Sequence, residues 1–305
     1  MSNLILKKAS TIIIFLVIAV FLTSCSSGKN IVAKVNNQDI TSKEFTDTFN
    51  MVKNRIKSNP QYNKDVWNKD YNGKKLIDAV KENVMDNLIM EKILLKQAQK
   101  QNITASSKEI DDEYNKEKLA NKDITKEEAK NNLLINKLID GWTKDVKISD
   151  EEIKKYYESN KSQFEVVKAS HILVADEKTA NEIYNKLMQG ADFAQMAKQY
   201  SIDTSTKDKG GELGEFPRGT MVQEFDNAVF NLKAGEISKP VKTQFGYHII
   251  KSEGITVKSL DDVKDYIKQN LEDSKKREIF DTKYNELKKD AKIEEFPQNI
   301  KVTVD

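Results

Sequence analysis

Both histidines of this 305-residue chain stand at matching places in strand-like runs: His171 in A-S-H-I-L-V (169–174) and His248 in G-Y-H-I-I-K (246–251). A neutral imidazole carries one donor and one acceptor, so two of them can join a hydrogen-bond network whose tautomers a nearby carboxylate fixes. With an aspartate, the same residue types could instead ligate a metal. A third use is structural: two histidines in neighbouring strands can be polar core residues, paired for stability alone. Covalent chemistry has less support, since the sole cysteine is Cys25, far away in sequence, and no serine of the region has an evident activating partner.

The elements that must hold these residues follow from apolar spacing. Residues 166–174 read as a strand, 177–189 and 192–199 as helices, 222–232 as another helix and 247–251 as a closing strand. Residues 164–254 also carry 8 of the chain's 11 glycines, so they read as a small α+β domain of their own. From about Thr41 to Gln163 the pattern is helical. Thr41/Glu44, Ser106/Glu109, Thr125/Glu128 and Ser149/Glu152 each have the spacing of a capping box. Leu76, Val80, Val84 and Leu88 form one apolar seam, with Ile77, Ile89 and Ile93 beside it. A second seam, Leu260, Val263, Ile267, Leu271, Phe280, Tyr284 and Leu287, would be left bare unless the C-terminal helix packs on the N-terminal ones. The expected organisation is residues 1–24 as a signal peptide, 25–163 as a helical lobe, 164–254 as the inserted domain, and 255–305 as the helix completing the lobe.

Lys7 and Lys8 precede an uncharged apolar run from Ile12 to Leu22, too short to span a bilayer comfortably, which is the pattern of a signal peptide. The run ends in Leu22-Thr23-Ser24-Cys25, which resembles a bacterial lipobox. Lipidation of Cys25 would account for a lone thiol in an exported chain and would hold the protein at the outer face of a membrane. Loss of residues 1–24 removes two lysines and no acids, leaving 48 Lys and Arg against 48 Asp and Glu. A near-neutral chain with no basic stripe excludes a nucleic-acid partner. Heavy use of Lys, Asn and Ile fits an AT-rich, Gram-positive genome.

Six blocks in order resemble the parvulin-type peptidyl-prolyl isomerases: A-S-H-I-L-V, Y-S-I-D-T-S (200–205), G-G-E-L-G-E-F (210–216), M-V-Q-E-F-D-N-A-V-F (221–230), K-A-G-E-I-S-K-P-V-K-T (233–243) and F-G-Y-H-I-I-K (245–251). The opening V-A-K-V-N-N-Q-D-I-T-S-K-E-F (32–45) is similar to the start of exported chaperone-foldases. A lipobox, a helical lobe and one parvulin domain together resemble the PrsA-like foldase lipoproteins.

The resemblance implies an α+β fold: a small, mostly antiparallel sheet with surrounding helices, inserted in a mostly helical chaperone lobe. It implies isomerisation of X-Pro bonds without a covalent step, a cofactor or a metal. His171 and His248 match the paired histidines of the site, Asp203 a Cys/Asp position beside them, and Thr243 a nearby hydrogen-bonding residue. Leu213, Phe216, Met221 and Phe225 match the proline pocket, with Met221 and Phe225 at i and i+4 on one helix face. Met221 and Phe225 serve equally as plain core, and Asp203 as a turn cap. Ala175, Asp176 and Glu177 stand where phosphate-selective parvulins carry basic residues, so the implied substrates are unmodified X-Pro bonds in unfolded, newly exported chains, with little sequence preference. Homodimerisation is compatible with the sequence. The alternative function is a non-catalytic chaperone whose parvulin domain only binds peptides.

Overall fold

The computed structural model describes residues 30–60 and 62–304, so the signal-peptide segment and Cys25 lie outside the described residues. It divides into two units: residues up to 146 together with those from 275 onward, and residues 147–274.

In the first unit, β1 (Ile31–Val35) and β2 (Gln38–Thr41) form a hairpin. Its turn residues Asn36 and Asn37 have φ of 50° and 69°, the left-handed pair that a tight two-residue hairpin demands and asparagine tolerates. Helix α1 (Ser42–Lys57) follows, then a short hairpin of β3 (Asp70–Tyr71) and β4 (Lys74–Lys75). Helices α2 (Leu76–Lys100), α3 (Ser107–Lys118) and α4 (Lys126–Thr143) complete the N-terminal part. The capping boxes at Thr41, Ser106 and Thr125 all form, and each satisfies two otherwise unpaired N–H groups at a helix start. The α2 seam is buried as its spacing demands: Val84, Leu88, Ile89 and Ile93 pack with Phe45, Phe49 and Trp67.

In the second unit, α5 (Asp150–Ser159), capped by the box at Ser149, leads into β5 (Glu165–Val174). Helices α6 (Glu177–Met188) and α7 (Phe193–Tyr200), β6 (Glu212–Pro217), α8 (Gln223–Val229), β7 (Val241–Thr243) and β8 (Gly246–Val257) follow. The four strands run in the order β6-β5-β8-β7, every neighbour antiparallel. Strand alternation sends Ile172 and Val174 to one face, against α6 and α7, and Val167 and Ala169 to the other, against Phe225 and Val229 of α8. The architecture is the α+β arrangement of a small antiparallel sheet with surrounding helices.

Strands β3, β4, β6 and β7 fall where the sequence-based expectation has no strand, and three further features depart from it. Strand β8 continues six residues past Lys251 and pairs along the whole of β5, although Glu253 and Gly254 interrupt its apolar character. Helix α9 (Leu260–Asp290) does not lay its whole seam on the N-terminal helices. Val263 and Ile267 pack instead on Ile153, Tyr157 and Phe164 of the second unit, which therefore extends beyond 164–254 at both ends. Phe280, Tyr284 and Leu287 do pack with the first unit, beside Leu94 and Leu138. Finally, β9 (Ile293–Glu295) adds to the free edge of β1, so a three-stranded sheet joins the two ends of the described chain.

Candidate active site

His171 lies on β5 and His248 on β8, two residues out of register, so their rings meet diagonally across the strand pair. Their Nδ1 atoms are 3.0 Å apart and both residues are 5% exposed. The far nitrogen of His171, Nε2, lies 2.8 Å from Asp203 Oδ2. That of His248 lies 2.9 Å from Thr243 Oγ1. All four residues matched to the catalytic positions are thus joined in one chain of hydrogen bonds.

The directions of these bonds follow from the acceptor at one end. Asp203 as a carboxylate can only accept, so His171 Nε2 carries a proton, and in the uncharged ring Nδ1 is left as an acceptor. His248 Nδ1–H must then donate to it, which makes His248 Nε2 the acceptor of the Thr243 hydroxyl. Thr243 Oγ1 in turn accepts the Phe245 N–H at 3.1 Å. His171 Nε2 also lies 3.2 Å from Thr206 Oγ1, and with both rings uncharged a single arrangement of protons satisfies the chain.

Asp203 is held by more than His171. The Thr206 hydroxyl donates to Oδ2 at 2.6 Å, and the Ser205 hydroxyl and N–H donate to Oδ1 at 2.6 and 3.0 Å. Partial burial pushes the carboxyl up, but hydrogen bonds from Ser205, Thr206 and His171 outweigh it and hold Asp203 well below the usual carboxylate range. Burial, reinforced by His171, pushes His248 down from 6.5 to about 4 in spite of the Asp203 charge. At neutral pH the site therefore holds a fixed negative charge at one end of a network in which His248 is neutral. The carboxylate also accepts the N–H of Ser205 two residues on, so Asp203 caps its turn and orients His171 at once.

Phe225 stands edge-on to both rings, with centroids 5.9 Å from His171 and 5.2 Å from His248. Phe216 lies 6.4 Å from Phe225, and Leu213 and Met221 pack on the same cluster. The four residues matched to a proline pocket are therefore together beside the histidines. Met221 precedes the N-cap Val222 and is not on the helix, so the shared helix face expected for Met221 and Phe225 does not exist. Phe216 and Phe225 are 4% and 2% exposed, whereas Leu213 and Met221 are half-buried. The latter two offer the surface a ligand could touch, and the phenyl rings back it.

Sequence reasoning missed Thr206, Ser205 and Gly211. The signal for the first two was local: hydroxyls two and three residues after an aspartate that needs donors. Gly211 accepts the His171 N–H and has φ of 81°; a Cβ there would lie 2.2 Å from the His171 carbonyl oxygen. Among the described residues no group of three His, Cys, Asp or Glu side chains is placed to hold a metal ion.

Residues 152–255 match the profile of the PPIC-type PPIASE domain, and residues 3–127 that of a SurA-like N-terminal domain. The second unit accordingly contains a parvulin-type peptidyl-prolyl cis-trans isomerase domain. The foldase protein PrsA of Caldanaerobacter subterraneus subsp. tengcongensis is 55% identical over 303 residues, covering 98% of this chain and 99% of the relative. PrsA of Clostridium botulinum strain Langeland is 32% identical over 336 residues, covering 97% of this chain and 100% of the relative. The chain belongs to the PrsA foldase family. The crystal structure of the peptidylprolyl isomerase PrsA from Bacillus cereus is similar at 27% identity, covering 90% of this chain and 97% of that one, with a TM-score of 0.43.

Proposed function

We propose that the isomerase acts through the chain Thr243–His248–His171–Asp203, on X-Pro bonds of unfolded proteins newly exported across a membrane to which Cys25 anchors it. The observation that carries the site reading is the continuity of that chain beneath Phe225. The planar X-Pro amide opposes rotation with a barrier of about 20 kcal/mol, which makes uncatalysed isomerisation take roughly 10–100 s. No bond has to break. Twisting ends resonance, so negative charge leaves the carbonyl oxygen and a lone pair grows on nitrogen. An ionised Asp203 at the end of a preorganised network disfavours the planar amide, whose oxygen is the more negative, relative to the twisted one. Each ~1.4 kcal/mol of that preference gives about tenfold in rate. Leu213 and Met221 hold the proline ring, and Phe225 keeps water from the network.

Exchange NMR of a short X-Pro peptide tests this with the wild-type chain and with Asp203→Ala and His248→Ala, each checked for folding. Acceleration by the wild type that is lost in folded variants supports the site; acceleration retained in both refutes it. No acceleration by the wild type would favour the alternative, a chaperone with a peptide-binding parvulin module.

The helical lobe holds unfolded clients in this reading, and lipidated Cys25 places the protein at the extracytoplasmic face of the cell membrane. The support is the lipobox-like Leu22–Cys25 sequence and the SurA-like N-terminal match. Cys25→Ala is expected to move the protein from the membrane to the soluble fraction of cells. Retention in the membrane pellet would overturn the anchor.

A further inference from the structure

Beyond β9 the chain makes a turn at Pro297–Asn299, and residues 300–304 that follow form neither helix nor strand. Their exposure nevertheless alternates as a strand's would: Ile300, Val302 and Val304 are half-buried, whereas Lys301 and Thr303 are exposed. All three apolar residues pack against the core of the first unit, in the cluster that contains Phe45, Phe49 and Trp67.

Backbone pairing does not hold the segment there. The Ile300 N–H closes the turn, donating to the Pro297 carbonyl at 3.1 Å, and among the described residues no backbone group of 301–304 bonds to another backbone group. The polar anchors come from side chains of α1. The Ser42 hydroxyl donates to the Asn299 carbonyl at 3.2 Å, and Lys53 Nζ donates to the Thr303 carbonyl at 3.3 Å. Asn299 Nδ2 fixes the turn by donating to the Ile31 carbonyl at 2.7 Å.

The two anchors set the course of the segment. Ser42 and Lys53 are 11 residues apart on α1, about three turns or 16 Å, so they lie on nearly one line along the helix. Asn299 and Thr303 are four residues apart, about 13 Å of extended chain. Residues 299–303 therefore run along α1 and parallel to it, and Phe49 and Ile56 of α1 lie within about 40° of the same line. Phe45 and Phe49 also pack with Trp67, Val84 and Leu88, so α1 has core contacts that do not involve the segment. An extended chain docked through alternate side chains, with its carbonyls met by a hydroxyl and an ammonium, sits as a bound peptide sits in an apolar groove. Its lack of backbone bonds and its half-buried side chains place it among the segments that open locally, well below the free energy of global unfolding.

We infer that this face of α1 is a binding groove for an extended stretch of unfolded polypeptide with apolar residues at alternate positions, and that residues 300–304 occupy it until such a client displaces them. This rests on the reading of the helical lobe as the part that holds unfolded clients. Ser42 and Lys53 bond to carbonyls, which every residue has, so the polar recognition does not depend on client sequence. The apolar spacing selects segments that become half-buried strands once the client folds. Because the occupant belongs to the same chain, the apparent affinity for a client is lowered in proportion to the fraction of molecules whose groove is open.

The test uses reduced, carboxymethylated lactalbumin, a permanently unfolded chain, as a fluorescent probe titrated with the full-length wild type and with Val302→Ser/Val304→Ser. The double variant is expected to bind the probe about tenfold more tightly as its open fraction rises. Its melting temperature should move little, and its isomerisation rate on a short X-Pro peptide should not change. With the wild type, an excess of a peptide of residues 299–304 is expected to displace the probe, and the same peptide with serine at both valine positions is not. Equal or weaker probe binding by the folded variant, or failure of the 299–304 peptide to compete, overturns the groove while leaving the client-holding lobe standing. Loss of the first unit's fold in the double variant also overturns it, since the segment would then be core and not a displaceable occupant. No binding of the probe by the wild type or the variant overturns the client-holding reading, and the groove with it.

Discussion

His248 is the group through which mild acid should act on the isomerase unit. Burial and the neighbouring His171 hold its folded pKa at about 4, against 6.5 for a free imidazole. Between those two values the unfolded chain takes up a proton that the folded chain refuses, so acid favours unfolding. The stability tied to His248 is fully present above pH 6.5 and is lost as pH falls towards 4. The slope is ~1.4 kcal/mol per pH unit and the whole window is worth roughly 3 kcal/mol, an upper figure because acid can loosen the site before unfolding it. The assay is the difference in unfolding free energy between the wild type and His248→Gln at pH 7 and at pH 4.5. Other titrating groups cancel in that difference, and it should shrink by about 2 kcal/mol or more as acid removes the advantage of the native imidazole. With two histidines in the chain, the imidazole NMR titration is read directly once His248→Gln identifies its signal. A His248 midpoint near 6.5, or a difference that does not change with pH, would refute the buried, uncharged His248 on which the bond directions rest.

The first unit should respond in the opposite sense through Glu91, which is fully buried on α2, accepts one bond from Asn131 and leaves Oε2 without a partner. Burial above all, with Glu44 and Glu128 adding to it and Lys92 and Asn131 opposing, raises its pKa from 4.5 to about 7. Its contribution is present below pH 4.5 and is lost as pH rises through 7, so Glu91→Gln should stabilise the protein by about 2–3 kcal/mol at pH 8 in denaturant melts and by little at pH 4. Equal effects at the two pH values would count against a buried proton. Gly211→Ala must force the backbone away from the His171 carbonyl, and a loss of more than about 2 kcal/mol with disturbed His171 resonances is expected; a neutral substitution would mean the close approach is slack. Met221→Ala should raise the Kd of a proline peptide about five- to tenfold in titration while the melting temperature moves little, since Met221 is half-buried; unchanged affinity would remove it from the proline wall.

What the sequence made legible is what short-range chemistry writes into it. All four capping boxes form, because each is a bargain between a hydroxyl and a carboxylate three residues apart that needs nothing from the rest of the fold. The strands carrying the histidines could be read because apolar residues surround them on both faces. Strand β6 could not: Gly214 and Pro217 are poor strand residues, tolerated because β6 is the edge of the sheet and has one neighbour to satisfy. The β1–β9 pairing was hidden for a different reason. It joins Ala33 to Glu295 through three residue pairs, and no local pattern announces a partner that far along the chain.

The site shows the same division between residue type and environment. That His171, Asp203, Thr243 and His248 belong together could be read from their blocks, but the direction of each hydrogen bond could not. Direction depends on Thr206 and Ser205 filling the acceptor sites of Asp203, and on burial deciding the charge of His248. Exposure was equally unreadable. Phe225 and Phe245 are the same residue type, each flanking the network, yet one is 2% exposed and stiffens the site while the other is 58% exposed. A phenylalanine closed under a helix can only support chemistry. One left open in the turn before Gly246 meets solvent, and the choice between those two places is made by the tertiary fold.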